Sequence, residues 1–310
     1  MSISKIIFGA KNTDTQKLKE VVEIYAKAGT DIFDVCADKN IILLTRETIN
    51  SLNLAQKPII CASITLGNDK HSAKAEITKE KCCGCQRCVN ICPQKTIFLE
   101  KEYAKINQNA CVGCARCIEV CPNSAIKMFN LKQSFEEQYE QAKTADYIEI
   151  HTNGKDENRY EVFEFLKKNF NGKIGICISQ NPNTKEKIEI ITKVKDIIFP
   201  QKLIVQADGN SISGFDNEIS TTQKAIEECK NYQNIENIIL IASGGTNMKT
   251  AQLAQKEGIK LDGIAWGSYA RGLLTEPDFL EKAIELLKSL DILSSSLPNL
   301  AENFPMADNL

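Results

Sequence analysis

The sequence lacks a marked excess of either charge, a long apolar run and an amino-terminal signal peptide. Its 310 residues carry a formal net charge of −2, so no charge field suggests a nucleic-acid partner. No apolar run approaches the length that spans a bilayer, and residues 1–11 are too polar and too short for a signal peptide. With 43% hydrophobic residues, the composition predicts a globular cytoplasmic protein with a large core, no nucleic-acid partner and no membrane span.

Cysteine, by contrast, is abundant, and most of it lies in one duplicated segment. The run C-x2-C-x2-C-x3-C-P occurs at Cys82, Cys85, Cys88 and Cys92, and again at Cys111, Cys114, Cys117 and Cys121. This is the bacterial ferredoxin spacing, and two such runs supply the thiolates of two cubane 4Fe-4S clusters. The last cysteine of each run serves the other cluster in that arrangement, so two crossed ligand sets are predicted. They are Cys82, Cys85 and Cys88 with Cys121, and Cys111, Cys114 and Cys117 with Cys92.

Zinc ribbons and disulfides are the alternative uses of clustered cysteine. Zinc usually takes two separated C-x2-C pairs, and a reducing cytosol disfavours disulfides. Gly84 and Gly113 recur inside the two runs, where a missing side chain lets the backbone curl around a cluster. Cys83 lies outside the register and is interpreted as a spacer. Four single cysteines among apolar residues are predicted to be buried and unreactive: Cys36, Cys61, Cys177 and Cys229.

Without residues 71–128, about 250 residues remain, which is the usual length of a (β/α)8 barrel. In that remainder, apolar runs alternate with segments of helical period. The predicted strands are residues 5–8, 31–36, 58–64, 147–150, 173–178, 203–206, 238–242 and 263–266. The predicted helices are residues 14–27, 39–52, 131–143, 160–169, 183–194, 221–230, 248–257 and 277–289. A doubly wound open sheet is the alternative architecture, because periodicity does not establish closure.

The predicted fold class is therefore α/β, a TIM-like (β/α)8 barrel formed by residues 1–70 and 129–289. Residues 71–128 are predicted to be an inserted ferredoxin-like domain with two 4Fe-4S clusters. Residues 290–310 are predicted to be a draped or disordered tail. Because the insertion follows the third strand, it lies on a βα loop at the catalytic face, and we expect the clusters to overhang the barrel mouth.

Two glycine-rich turns follow the seventh and eighth predicted strands. They contain Gly244, Gly245 and Thr246, and then Gly267 and Ser268. Barrels bind phosphate groups at this place through backbone amides, so these residues are candidates for holding FMN or another phosphate-bearing ligand. The alternative is that the glycines only turn the chain.

Further polar residues are predicted at strand ends: Asp34, Asp38, His151, Gln206, Asp208 and Arg271. Together they are candidates for binding or reacting with a small ligand, although no catalytic residue is assigned. Structural explanations stay open, since aspartates cap helices and shape turns, and a histidine is often only a hydrogen-bonded core residue. The other histidine, His71, is predicted to be a surface linker residue.

Several segments resemble the cyanobacterial light-dependent period protein (LdpA) family. Besides both cysteine runs, they include AGTDIFDVCAD at residues 28–38, EIHT at 149–152, GGTN at 244–247 and GIAWGSYAR at 263–271. The resemblance covers about residues 5–274. It implies an iron–sulfur protein that reports cellular redox state to the circadian input machinery, with the eight cysteines of the two runs as cluster ligands.

Two classes of function follow from these patterns. In the first, the chain transfers electrons or senses redox state, and a redox partner protein or a regulatory protein responds to the charge of the clusters. In the second, the chain is an oxidoreductase whose barrel binds a phosphorylated substrate or FMN and receives electrons from the clusters. A third possibility, in which the clusters only staple the insertion, is weaker because a single metal would suffice.

Overall fold

Eight parallel strands close into a barrel in the computed structural model, which describes residues 2–9, 11–67, 72–131, 133–179, 183–209 and 218–294. The strands are β1 (Ile3–Ile7), β2 (Ile32–Cys36), β3 (Ile59–Thr65), β4 (Ala73–Ile77), β5 (Ile97–Glu100), β6 (Tyr103–Ile106), β7 (Ile126–Asn130), β8 (Tyr147–Thr152), β9 (Lys173–Ile178), β10 (Leu203–Asp208), β11 (Ile238–Ser243) and β12 (Gly263–Trp266). The helices are α1 (Thr15–Ala28), α2 (Lys39–Ser51), α3 (Arg87–Ile91), α4 (Arg116–Glu119), α5 (Phe135–Ala142), α6 (Arg159–Asn169), α7 (Thr184–Ile198), α8 (Ile219–Tyr232), α9 (Thr250–Lys256), α10 (Ser268–Leu273), α11 (Phe279–Lys288) and α12 (Asp291–Ser294).

The barrel strands follow one another in the order β1-β12-β11-β10-β9-β8-β3-β2. Two pairings decide between a barrel and an open sheet. Strand β1 pairs with β12, with Ile3 opposite Gly263, and this contact closes the sheet. Strand β3 pairs with β8, with Thr65 opposite His151, so the barrel continues across the insertion. The predicted (β/α)8 barrel is confirmed and the open sheet is excluded.

The predicted strands are all present, and their ends lie close to the observed ones. Two short helices near the carboxyl end add to the prediction. The glycine-rich turn after β12 continues directly into helix α10. The segment predicted to be a draped or disordered tail begins with helix α12, and Leu290 and Leu293 are buried against the barrel core, because this helix contacts α9. Residues 295–310 of that predicted tail, and His71, lie outside the described residues.

Local signals in the sequence explain where the helices begin. The side chain of Asp14 accepts from the amide of Lys17 at the start of α1, which satisfies one of the free amides of the first turn. Helix α5 begins with a capping box between Ser134 and Glu137.

None of the helices in the described ranges combines the length and the apolar character needed to cross a bilayer.

The insertion lies between β3 and α5, as predicted, and it is built from two copies of one unit. Strand β4 pairs antiparallel with β7, and β5 pairs antiparallel with β6, so the first strand of one copy joins the last strand of the other. Equivalent positions of the two copies share backbone conformation: Gly84 and Gly113, and likewise Gln86 and Ala115, have positive φ angles. The two copies therefore fold around a shared core rather than as separate units.

The interior of the barrel is arranged in layers. An apolar layer contains Ile3, Ile32, Cys61, Tyr147, Ile204, Ile239, Ile241 and Ala265. Above it, Lys5, Asp34 and Glu149 form a layer of buried charges, each at most 1% exposed. Beyond these charges a pocket opens between the carboxyl ends of the strands. The bottom of the barrel is a packed core, whereas its mouth is available to a ligand.

Candidate functional site

The first cavity in the insertion is lined by sulfurs from both cysteine runs. Cys82, Cys85, Cys88 and Cys121 line it together with Cys83, and it contains about 340 Å³ of space not filled by protein atoms, part of which is open to solvent. Backbone amides point at two of these sulfurs. The amide of Ala104 donates to Cys82 Sγ at 3.4 Å, and that of Ala125 donates to Cys121 Sγ at 3.2 Å.

A second cavity, of about 350 Å³, is the counterpart of the first. Cys92, Cys111, Cys114 and Cys117 line it. The hydroxyl of Thr96 lies 3.4 Å from Cys92 Sγ. Burial raises the pKa of the Cys117 thiol to about 12, with further contributions from neighbouring thiols, so a free thiolate would be costly here. Bound metal removes that cost because it takes thiolate ligands.

These residues fit a cubane cluster in each cavity. Four thiols around a cavity are the donor set that a 4Fe-4S cluster takes, and hydrogen bonds to the sulfurs are its usual outer contacts. The observed grouping of sulfurs is the crossed grouping expected from the spacing. Which sulfurs bind metal stays a prediction. The four single cysteines are all buried, and none of them lines either cavity.

The glycine inside each run sits where a side chain would collide with the backbone of the other copy. A Cβ atom on Gly84 would lie 2.5 Å from the carbonyl oxygen of Glu102, and one on Gly113 would lie 2.2 Å from that of Ala73. Gly113 also has a φ of +70°. Both observations explain why each cavity wall requires glycine at this place.

We expect Gly113→Ala to reduce the iron content of the purified protein and its melting temperature. The added methyl group must displace the Ala73 backbone, in addition to about 1–2 kcal/mol for the left-handed conformation. Gly258→Ala is the matched control, because Gly258 has a φ of +66° and nothing within 4 Å of its Cβ position. Equal losses in both variants would show that close packing at Gly113 is unimportant.

The two cavities differ in their surroundings. Cys85, in the first set, is exposed, whereas the second set contains two buried cysteines, Cys111 and Cys117. The second set also lies beside the barrel. The amide of Thr13, after β1, donates to the carbonyl of Asn109 in the insertion at 2.9 Å.

Lys74 joins the second set to the barrel. Its buried ammonium donates to three backbone carbonyls: Cys111 at 2.6 Å, Gln108 at 2.7 Å and Lys11 at 2.7 Å. Burial lowers its pKa below the ordinary value for lysine. The equivalent position in the other copy is Tyr103. A buried positive charge therefore accompanies only one of the two cysteine sets at this position.

The pocket at the barrel mouth contains about 790 Å³ of space not filled by protein atoms, part of which is open to solvent. It collects residues predicted separately from the sequence, and these are Asp34, His151, Gln206, Asp208, Gly244, Gly245, Thr246, Gly267, Ser268 and Arg271. Asp38 is not among them. It caps helix α2 instead, with its side chain accepting from the amides of Asn40 and Ile41.

One wall of the pocket comes from the insertion. Val112 lies between Cys111 and Gly113 of the second run, and its side chain faces the pocket. A Cβ atom on Gly9, at the end of β1, would lie 3.8 Å from Cγ1 of Val112. The loop around the second cysteine set is thus also a wall of the barrel pocket, which agrees with the expectation that the insertion overhangs the mouth.

A network of buried charges supports the floor of the pocket. Lys5 Nζ lies 2.9 Å from Asp34 Oδ2 and 2.7 Å from Glu149 Oε2. Burial would raise the pKa of Glu149, but the charge of Lys5 and the hydrogen bond from His151 outweigh burial and lower it. Burial would likewise lower the pKa of Lys5, but the carboxylates, Asp34 first, raise it. Lys5 and Glu149 therefore stay charged, and the positive charge between the two carboxylates is the ammonium group of Lys5.

The network reaches the pocket through Ser63 and His151. Ser63 Oγ donates to Asp34 Oδ1 at 2.6 Å and lies 3.1 Å from His151 Nε2. The same nitrogen lies 3.1 Å from Glu149 Oε1. A histidine held by a buried carboxylate at the surface of a pocket is placed to exchange a proton with a ligand there.

Sequence reasoning missed Lys5, Ser63, Lys74, Val112 and Glu149. One signal was present, because a lysine or glutamate inside a strand that is buried on both faces needs a partner of opposite charge. Lys5 and Glu149 each stand inside a predicted strand, and they are 144 positions apart in the sequence. Their pairing follows only from the closure of the barrel.

The model of the light dependent period A C-terminal domain matches residues 140–309, more than half of the chain. The chain belongs to this family. A second model, of a 4Fe-4S dicluster domain, matches residues 75–128, the segment that carries both cysteine runs. This member of the light dependent period A family is therefore an iron–sulfur protein, with electron transfer as the chemistry of its dicluster segment. No curated protein matches the chain.

Three solved structures illustrate the low identity between this family member and the proteins that resemble it in structure. A DAHP synthase from Thermotoga maritima is 10% identical, with a TM-score of 0.49, covering 94% of this chain and 70% of that one. A truncated form of that synthase is 12% identical, with a TM-score of 0.47 and coverage of 94% and 87%. Tryptophan synthase from M. tuberculosis is 9% identical, with a TM-score of 0.45 and coverage of 93% and 93%. The barrel assignment rests on the strand pairing and not on these likenesses.

Proposed function

We propose that this protein carries two 4Fe-4S clusters and transfers electrons or senses redox state through them. Each cluster is held by one crossed set of cysteines within a domain of residues 71–128, inserted into a barrel domain of residues 1–70 and 129–289. The observation that carries the proposal is the presence of two separate cavities, each lined by one crossed set of four cysteines, with Cys83 also lining the first. A bound cluster supplies one-electron redox chemistry. The thiolate ligands agree with a cytoplasmic location, where cysteines stay reduced.

The surroundings of the two cavities support a direction of electron transfer between the two cysteine sets. The first set, with its exposed cysteine, is accessible to a redox partner protein, whereas the second set lies against the barrel. The buried charge of Lys74 favours an added electron at the second set. Electrons therefore enter at the first set and reach the second, where Val112 connects the cluster loop to the barrel pocket. A regulatory partner that contacts the barrel mouth would therefore respond to the redox state of the second cluster.

Analysis of metal content tests the proposal. The full chain, purified without oxygen, is expected to contain about eight iron and eight acid-labile sulfide atoms, and reduction should give electron paramagnetic resonance signals of two interacting clusters. About four of each would show a single cluster. Zinc in place of iron would contradict the proposal.

Lys74→Met should shift the midpoint potential of one cluster to more negative values, by several tens of millivolts, because a buried positive charge is lost beside it. The other cluster should keep its potential. The measurement is a redox titration followed by electron paramagnetic resonance, with iron content as the check that both clusters are present. Lys105→Met is the control, since Lys105 is 43% exposed and pairs with Glu100. A Lys74 variant with both potentials unchanged would show that this charge does not distinguish the clusters.

A second candidate function is an oxidoreductase whose barrel pocket binds FMN or a phosphorylated substrate through Gly244, Gly245, Thr246, Gly267 and Ser268. The observation that favours it is Val112, because a ligand in the pocket would touch the loop that carries the second cysteine set. Mass spectrometry of small molecules released from the air-free protein separates the two candidates. Released flavin or a phosphorylated compound supports the enzyme. Fully loaded clusters that release neither, and that do not take up added FMN, contradict it.

A further inference from the structure

Arg271 is a buried cation at the mouth of the barrel. Its side chain is 6% exposed and lines the pocket. Nη1 donates to the carbonyl of Ile7 at 2.5 Å and Nη2 donates to Ser268 Oγ at 3.3 Å. Nε is buried and has no hydrogen-bond partner among the described residues. Burial lowers the pKa of Arg271 to about 10, so it stays charged at neutral pH.

The charge of Arg271 is not balanced by a nearby carboxylate within the described ranges. Both of its hydrogen-bond acceptors are neutral oxygens. Lys11, which also lines the pocket, donates to the amide oxygens of Gln133 and Gln138. Two acids line the pocket: Asp34 is already paired with Lys5, and among the described residues neither Asp34 nor Asp208 forms an ion pair with Arg271. A desolvated positive charge without a counter-ion is costly, and an anion in the pocket would remove that cost.

Gln206 places a second requirement on a ligand of this pocket. It is 4% exposed, lines the same pocket, and its Oε1 has no hydrogen-bond partner among the described residues. An amide oxygen in this position needs a donor, such as a hydroxyl or an amine. The pocket thus presents a cation that lacks an anion and an acceptor that lacks a donor.

We propose that the barrel mouth binds a small hydroxylated acid, whose phosphate or carboxylate group pairs with Arg271 and whose hydroxyl group donates to Gln206. This proposal rests on the second candidate function, that the pocket holds a ligand, and it names the ligand's chemistry. FMN is one member of the class, because its ribityl chain carries hydroxyl groups and a phosphate. The glycine turns shape the space around the acid group, and Arg271 provides the charge.

Calorimetric titration of the air-free, cluster-loaded protein tests this proposal. The probes are sn-glycerol 3-phosphate, glycerate, inorganic phosphate, glycerol and FMN, with chloride added to equal ionic strength. The first two probes distinguish a phosphate from a carboxylate as the preferred acid group. We expect one of them to bind more tightly than inorganic phosphate, and glycerol to bind least.

The variants separate the two contacts. Arg271→Met should weaken binding of every acidic probe by about tenfold or more, because a charge-assisted contact is lost. Gln206→Leu should weaken the hydroxylated probes and leave inorganic phosphate unchanged. Arg159→Met is the matched control, since Arg159 also donates to a backbone carbonyl and has a buried Nε without a partner among the described residues, but does not line the pocket. If Arg271→Met does not fold, Arg271→Lys takes its place in the test. This variant keeps a positive charge, so it should lose only part of the affinity for the acidic probes.

The outcomes also distinguish this proposal from the one on which it rests. If FMN binds the wild-type protein and Arg271→Met equally well, the pocket holds a ligand but Arg271 does not recognise it, and this proposal is wrong. If no probe binds the wild-type protein beyond the chloride control, the ligand site itself is absent and both proposals are wrong.

Discussion

Cys92→Ala is expected to remove the cluster that is held mainly by the other cysteine run. Cys92 closes the first run in the sequence, but its sulfur lines the cavity of Cys111, Cys114 and Cys117. A cubane that loses one of four thiolates is no longer held at that iron corner. We expect iron and sulfide to fall to about half of the wild-type content. One electron paramagnetic resonance signal should disappear, together with the magnetic interaction between the clusters.

Lys74 identifies which signal is lost. The cluster that disappears in Cys92→Ala should be the one whose potential shifts in Lys74→Met, because Lys74 contacts Cys111 of the same set. Cys121→Ala should remove the other signal. Cys83→Ala is the control, since Cys83 is exposed and outside the register of the runs although it lines the first cavity. If Cys92→Ala removed the cluster whose potential is insensitive to Lys74, the crossed assignment would be wrong.

Lys5→Met is expected to cause the largest loss of stability in the barrel. The substitution leaves the carboxylates of Asp34 and Glu149, 1% and 0% exposed, without their buried counter-charge. Breaking one partner of a buried ion network destabilises a protein by about 3–5 kcal/mol. Chemical denaturation at neutral pH measures this loss. Lys187→Met is the comparison, because its partner Glu228 is 17% exposed and retains contact with water, so the loss should be smaller.

The effect of pH on Lys5→Met has a definite sign. In the wild-type protein the pKa of Glu149 is lowered, so its stabilising contribution is present above the unfolded pKa and is lost as the pH falls through the folded pKa. Without Lys5, burial raises that pKa above the unfolded value. The stability of the variant is then reduced most at high pH, and it increases as the carboxyl group of Glu149 becomes protonated. The difference in stability should therefore narrow with falling pH, and a constant difference would contradict this explanation.

Adding Asp34→Asn and Glu149→Gln to Lys5→Met should restore part of the lost stability, because uncharged groups are cheaper to bury than unpaired charges. A triple variant that is no more stable than Lys5→Met would show that packing, and not charge, explains the loss.

The sequence by itself determined the elements and the chemistry that depend on local spacing. Two cysteines separated by two residues can reach one cluster whatever surrounds them, so the ligand pattern and its duplication are readable without a structure. The alternation of apolar and helical periods likewise located β9 and β12 to the residue, because parallel strands and their helices leave a strong local signal. Helix α10 was not predicted, because Gly267 indicated a turn and the helix that follows is only six residues long.

The tertiary structure alone decided which distant residues meet. Lys5 and Glu149 are 144 positions apart and face each other only because β3 pairs with β8 across the insertion and the barrel closes through β1 and β12. Val112 reads as a spacer between ligands, yet it is a wall of the barrel pocket. The physical reason is that spacing along the chain constrains neighbours within a few residues, whereas burial of charges and the shape of a pocket depend on closure of the whole sheet.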